Sequence, residues 1–344
     1  MSSAAASRNL LITSRRKRRS GRPSCATWAP SSTDAGMRAH DLTCPAPDRT
    51  PRAPRTVFPA MACDTHAHIC GPADVFAYAE ERIYTPPDST LKDYLDLLAI
   101  LGVGRAVLVQ PSVYGTDNRA LLDALSRIKK GLRGVAVVDI GITPDDIRVM
   151  DAAGIRGVRL NVVDHSGERN VVPIEAVRRL AGAIAAYGWH IEFLINIDEA
   201  PRFAAAIEGL PVDVVVGHLG YPRCGAGPWP ASASFDAFLR LFERGRCWVK
   251  LTGPYRISSA PNMPYPDVAP LAQRLAAVNP ERLLWGTDWP HVMMKKPMPN
   301  DGDLSDLIAD WLPDAGLRER VLVTNPAFLY RFSDEERLDH TAAG

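Results

Sequence analysis

Nothing in this 344-residue chain approaches a long apolar run. A membrane-spanning helix needs roughly 18 such residues or more, so membrane-embedded functions fall away. Cysteine is sparse: six residues, at positions 25, 44, 63, 70, 224 and 247, with no Cys-x-x-Cys pair and no compact framework. That spacing excludes a disulfide scaffold and a cysteine-built zinc site, and it suits a reducing, cytoplasmic setting. A secretory signal is not expected either, because the one short apolar stretch, Leu10-Leu11-Ile12, precedes the charges it should follow. Net charge is small as well, at +1. That near-balance conceals an asymmetry: residues 1–57 hold 11 Lys/Arg against three acids, and the remainder holds 29 against 36.

Residues 1–57 are rich in Ser, Ala, Pro and Arg and include Arg15-Arg16-Lys17-Arg18-Arg19. Too few apolar residues are present to build a core. The stretch reads as a disordered basic extension, or as residues upstream of a true start at Met37 or Met61. Its basic run would suit nucleic acid or an anionic surface, but a solvated tail is the simpler reading, and no nucleic-acid or membrane partner is expected. Truncation to residue 58 is therefore expected to leave activity undiminished. From about residue 58 the pattern changes. Short runs of Val, Ile and Leu alternate with amphipathic stretches, as in a mainly parallel sheet with helices between its strands. The strand expectations are Ala62–His68, Arg105–Pro111, Gly134–Ile140, Gly154–Asn161, Trp189–Asn196, Val212–Gly220, Cys247–Gly253 and Leu283–Pro290. Thr90–Leu101, Asp117–Lys129 and Ile174–Tyr187 carry helical spacing, the last with Pro173 before it and Gly188 to end it. Eight strands, each with a helix after it, predict a single (β/α)8 TIM barrel over residues 58–335, with 336–344 as a tail. Periodicity alone leaves an open, doubly wound sheet as the alternative.

A barrel carries its chemistry at the C-terminal ends of its strands. The first candidate strand ends Asp64-Thr65-His66-Ala67-His68, and a period of two sends both histidines the same way. The eighth ends Thr287-Asp288-Trp289-Pro290-His291. Asp288 is either a turn-capping acid or a reacting carboxylate. Closure of a barrel makes its first and last strands neighbours, which brings Asp288 to the histidine pair. His218 follows the sixth strand. Arg159 lies deep in the apolar context of the fourth, where a guanidinium is costly unless an anion pairs with it. It is either salt-bridged or set aside for a substrate carboxylate. His190, at the opposite end of the fifth strand, reads as structural.

In that order, these residues resemble the amidohydrolase superfamily. More narrowly, they are similar to its 2-pyrone-4,6-dicarboxylate hydrolase branch of metal-independent lactonases. The likeness covers roughly residues 60–332. It is carried by Asp64–His68, Glu81–Pro86, Asp117–Ala120, Gly157–Asn161 and Leu284–His291. Metal-dependent members take ligands from His-x-His, a fourth-strand lysine or glutamate, histidines of the fifth and sixth strands, and the final Asp. Here Arg159 stands on the fourth strand, and Ile191–Asn196 has no histidine at its C-terminal end. The resemblance therefore implies a metal-free hydrolase opening the ester bond of a carboxylated, 2-pyrone-4,6-dicarboxylate-like lactone. Zn2+ on His66, His68 and Asp288 is the alternative, since three protein ligands and a water make a catalytic zinc.

The same resemblance implies Asp288 as the base for water, with His66, His68 and His218 polarising the carbonyl. Each histidine would then carry its ring hydrogen toward substrate. Tyr84, Ser112, Arg159 and Arg256 fall where the branch holds its substrate carboxylates. Two positions depart: a second arginine beyond the fourth strand becomes His165, and a fifth-strand tyrosine becomes Leu194. One fixed cation fewer relaxes the demand for a dicarboxylate, so a small anionic lactone is expected. Rival readings are another carboxylated-lactone hydrolase, such as a sulfomuconolactone or sugar-acid lactonase, a lactone isomerase on the same scaffold, a zinc-dependent hydrolase or decarboxylase, and a catalytically silent binding barrel. No mark of a particular oligomeric state is present.

Overall fold

The computed structural model describes residues 42–163, 169–222 and 232–341. Eight parallel strands pair in chain order: β1 (Cys63–Ala67), β2 (Arg105–Val109), β3 (Leu132–Ala136), β4 (Ile155–Asn161), β5 (His190–Leu194), β6 (Val214–Val216), β7 (Trp248–Leu251) and β8 (Leu283–Trp285). Between β1 and β7 lie α1 (Leu91–Leu101), α2 (Arg119–Arg127), α3 (Pro144–Ala153), α4 (Ile174–Ile184), α5 (Phe203–Ile207) and α6 (Ala233–Glu243). After β7 come α7 (Pro254–Ile257) and α8 (Ala269–Val278), and after β8 come α9 (Asp301–Trp311), α10 (Ala315–Glu319) and α11 (Asn325–Tyr330). This is the (β/α)8 barrel, and the open-sheet alternative falls. Between β8 and β1 the ring closes beyond the regular ladder. Asp288 N donates to His66 O at 2.8 Å, and His68 N donates to Trp289 O at 2.8 Å.

Local chemistry explains the boundaries. Thr90 caps α1 in a reciprocal box with Asp93, and Gly102 ends that helix in the left-handed region. Strands β6 and β8 are shorter than Val212–Gly220 and Leu283–Pro290 suggest. Past Val216 and Trp285 the chain turns through left-handed residues, His218 (φ 49°), Leu219 (φ 55°) and Asp288 (φ 65°), which a ladder cannot hold. Strand β3 starts two residues before the expected Gly134, because Arg133 belongs to it. That buried guanidinium lies over the Phe332 ring and donates to Glu336 Oε2 at 2.7 Å.

Both flanks of the barrel are engaged. Residues 42–57, assigned by composition to the extension, lie against the barrel. Cys44 N donates to Thr85 O at 2.9 Å, Thr56 N donates to Asp306 Oδ1 at 2.8 Å, and Arg52 and Arg55 both pair with Asp306. Composition misses this because the anchors are ion pairs and backbone contacts, which need little apolar content. At the other end Arg105 donates to Ser333 O and Glu336 O, and Leu338 N donates to Gly104 O. Residues 336–341, assigned to the tail, thus lie on the strand N-termini. The basic run at 15–19 lies outside the described residues.

Candidate active site

The C-terminal mouth of the barrel is built on a change of phase in β1. Its register against β2 shifts between Asp64 and Ala67, a local bulge. Strict alternation would put Asp64, His66 and His68 on one face. Instead Asp64 accepts from Tyr94 of α1 at 2.8 Å, outside the ring, while His66 meets Glu192 and Lys250 inside it. The turn after β8 then lifts Asp288 to the same height. Asp288 is fully buried, with Oδ1 at 3.6 Å from His66 Nε2 and 4.0 Å from His68 Nε2. His218 joins them, its ring 5.1 Å from that of His66.

The two carboxylate oxygens of Asp288 are in different situations. Oδ2 accepts from Tyr255 OH at 2.5 Å and Arg256 Nε at 2.6 Å, whereas Oδ1 is buried without a hydrogen-bond partner among the described residues. Behind Tyr255, its hydroxyl lies 2.9 Å from His291 Nδ1, and His291 Nε2 lies 3.1 Å from Asp301 Oδ1. Burial alone would push the Asp288 carboxyl up, but the Arg256 guanidinium overrides it and holds the group well below the usual carboxylate range.

Each histidine nitrogen facing away from the cleft decides what the other can do. His68 Nδ1 sits 2.7 Å from Val109 O, a pure acceptor, so Nδ1 carries the hydrogen. His66 Nδ1 lies 3.1 Å from Glu192 Oε1, which calls for a hydrogen there too; Lys250 Nζ is farther at 3.3 Å and is drawn to Glu192 Oε2 at 2.6 Å. Burial, with Lys250 adding to it, lowers His66, and burial drives His68 well below the usual histidine range. Both rings are then neutral and turn a lone pair, not a hydrogen, toward Asp288 Oδ1. His218 differs. Its Nδ1 is buried without a hydrogen-bond partner among the described residues, so no group behind the ring holds a hydrogen away from the cleft. The shared role drawn for three histidines thus separates into two acceptors and one available donor.

A small, partly open cleft lies above these groups. His68, His218, Asp288, Tyr84, Ser112, Arg159 and Arg256 all line it, as does Leu194. His66 stands just behind the wall. Among the described residues no carboxylate lies within ion-pair distance of Arg159, which is only 7% exposed and donates through Nη1 to Gln110 O at 3.2 Å. Arg256, expected to meet substrate, has Nε committed to Asp288 and Nη2 to Val292 O. His165 lies outside the described residues. Sequence reasoning missed Glu192, Lys250, Tyr255, Val292 and Met293. For the first two a signal was present: one charged residue in each of two apolar strands, Ile-Glu-Phe-Leu and Trp-Val-Lys-Leu.

The ligand-capable atoms of His66, His68 and Asp288 lie within 4.8 Å of one another. With both Nδ1 hydrogens held from behind, the three lone pairs fit a divalent cation as well as a water.

A family profile described as amidohydrolase matches residues 63–332. The chain is 38% identical to a 4-sulfomuconolactone hydrolase of Rhizobium radiobacter, over 79% of this chain and 91% of the relative. It is 37% identical to a 2-pyrone-4,6-dicarboxylate hydrolase of Comamonas testosteroni, over 81% and 93%. An apo crystal structure from Agrobacterium tumefaciens superposes with a TM-score of 0.72 at 29% identity, covering 82% of this chain and 99% of that one.

Proposed function

The chain belongs to the amidohydrolase family, and from that premise we propose that it is an enzyme that hydrolyses the ester bond of a small, carboxylated lactone. One observation carries the reading: a carboxylate oxygen with no hydrogen-bond partner among the described residues, Asp288 Oδ1, faces two histidine lone pairs on a cleft that Arg159 also lines, with no carboxylate of the described residues within ion-pair distance of it. The relatives named as lactone hydrolases support the reaction class.

In the proposed reaction a water sits among Asp288 Oδ1, His66 Nε2 and His68 Nε2, donating one hydrogen to Asp288 and the other to a histidine. Asp288 takes the first hydrogen as the water oxygen bonds to the lactone carbonyl carbon. His218 Nε2–H meets the oxygen as it becomes anionic. When the ring C–O bond breaks, Asp288 returns its proton to the leaving oxygen, giving an open-chain acid and a free hydroxyl. Arg159, with Tyr84 and Ser112 beside it, holds the substrate carboxylate. A cytoplasmic setting goes with this reading, since Cys44, Cys63, Cys70 and Cys247 are free and buried. No helix among the described residues is long and apolar enough to cross a membrane.

The convergent lone pairs support a second reading, in which His66, His68 and Asp288 hold Zn2+, which would activate a water as a Lewis acid. Arg256, in contact with Asp288, already supplies positive charge there, so the metal-free form is primary. Hydrolysis is tested across carboxylated lactones, starting with 2-pyrone-4,6-dicarboxylate. Asp288→Asn is expected to lower kcat by about 10³-fold or more without lowering the melting temperature. An active Asp288→Asn enzyme would sink the proposal. Stoichiometric zinc that activity requires would move it to the second form.

A further inference from the structure

The buried chain Tyr255–His291–Asp301 leads away from the cleft and has no part in the reaction as written above. Resting on the reading of Asp288 as the base, we infer that Tyr255 is a positioning residue that selects Oδ1 as the reactive oxygen of Asp288, with His291 and Asp301 aiming the Tyr255 hydroxyl.

The need for such a residue follows from the carboxylate itself. The terminal torsion of Asp is broad and two-fold, so a half-turn exchanges its oxygens. Arg256 does not prevent this alone, because it meets Asp288 through Nε while Nη2 goes to Val292 O. A second donor from another direction fixes the plane, and Tyr255 OH supplies it at 2.5 Å on the same Oδ2. Oδ1 is thereby left toward His66 and His68.

A tyrosine hydroxyl rotates and can donate elsewhere. What stops it is the partner on its other side. The three contacts Asp288–Tyr255, Tyr255–His291 and His291–Asp301 need three hydrogens, and they are satisfied together when His291 donates from both ring nitrogens. Tyr255 then accepts from His291 and has only Asp288 to donate to. Asp301 suits the far end, being the first residue of α9, where a negative charge meets the positive end of the helix. Tyr255, His291 and Asp301 are all buried and come from three separate segments: α7, the turn after β8, and α9. Apolar side chains would join those segments without the cost of burying polar groups. What they could not do is point a hydrogen.

The test uses Tyr255→Phe, His291→Phe and the double variant in lactone hydrolysis, with thermal melts alongside. Expected are a fall in kcat of about 10²-fold for Tyr255→Phe, with KM within about twofold of wild type, and a double variant no slower than Tyr255→Phe alone. The acid limb of the kcat/KM profile should also move to higher pH, because Asp288 loses a donor to its ionised form while Arg256, His66, His68 and His218 still face it. Wild-type kcat and an unmoved acid limb in Tyr255→Phe would overturn the inference, as would independent, multiplying losses in the double variant. Should Tyr255→Phe fail to fold, His291→Gln replaces it. Its amide N–H can still donate to Tyr255, so activity well above that of His291→Phe is expected, and equal loss in both overturns the inference. Activity in Asp288→Asn would instead refute the proposed function, so the two failures are distinguishable.

Discussion

At the scale of single residues, Arg159 sets stability against binding. Its buried guanidinium meets a backbone carbonyl and no carboxylate within ion-pair distance among the described residues, and a buried cation without a direct ion pair costs the folded state. Arg159→Met should therefore leave stability unchanged or raise it by about 1 kcal/mol, while KM for a carboxylated lactone rises about 10- to 100-fold. Arg159→Lys should recover only part of the affinity, since an ammonium keeps the charge but not the planar fork. Steady-state kinetics and denaturant titration on the same preparations decide. A variant with unchanged KM and lower stability would make Arg159 a structural residue. The sequence showed which side chains meet, because His66, His68 and Asp288 follow from strand period and barrel closure. It did not show which nitrogen of each ring bears the hydrogen. That depends on Glu192 and on Val109 O, groups four strands and one strand away from β1 in the ring and more than 40 positions away in the chain.

Among elements, the segment at 42–57 changes most when its contacts are weighed. It joins two loops that form the cleft. Cys44 N and Leu42 O hold Thr85, next to Tyr84, while Met293 N donates to Cys44 Sγ at 3.2 Å. Removing everything before residue 58 should thus lower the melting temperature and raise KM, against the expectation from composition. Kinetics of the truncated enzyme check this, and unchanged values would restore that expectation. Asp306 provides the pH arm. Burial pushes its carboxyl up, but Arg52, Thr56 and Arg55 bring it down from 3.8 to about 2. The folded state therefore binds this proton less tightly than the unfolded chain. Its contribution is present above about pH 4 and is lost as pH falls toward 2. Asp306→Ala should cost about 1–3 kcal/mol at pH 7, a gap that narrows below about pH 4. Helix positions were more legible than this segment, because capping and 3.6-residue spacing are local, whereas Arg52 and Asp306 are 254 residues apart.

For the molecule as a whole, closure of the ring is concentrated at Asp64. Oδ1 accepts from His66 N and Thr287 N at 3.0 Å, and Oδ2 from Thr287 Oγ1 at 2.6 Å and Tyr94 OH at 2.8 Å. Asp64→Ala strands four buried donors and should cost about 3–5 kcal/mol. Asp64→Asn should be far milder: its carbonyl serves the two N–H groups, and both hydroxyls can turn to accept from its amide. Burial, opposed by those four donors, raises the Asp64 carboxyl to about 6. The folded state then binds this proton more tightly than the unfolded chain. Wild type should lose stability relative to Asp64→Asn as pH rises from about 4 to about 6. Urea unfolding at several pH values tests both statements, and an Asn variant as damaged as Ala would refute the account of the seam. The eight-strand count was readable from the alternation of short apolar runs. The seam was not, since it rests on a bulge that breaks the period used to read β1.

Closing the ring through Asp64 and Thr287 also sets a condition in time. Thr287 and Asp64 are 223 positions apart, and both halves of the reactive centre, His66 with His68 and Asp288, hang on that joint. A chain emerging from the ribosome can form β1 and its neighbours in order, and Glu192 of β5 can meet His66 from behind, yet no carboxylate faces the Nε2 atoms of His66 and His68 until the turn after the eighth strand brings Asp288. On the proposed reaction, activity should therefore be an all-or-nothing report on completion of the barrel, and a chain that stops short of Asp288 is expected to be silent however well its first seven strands pack.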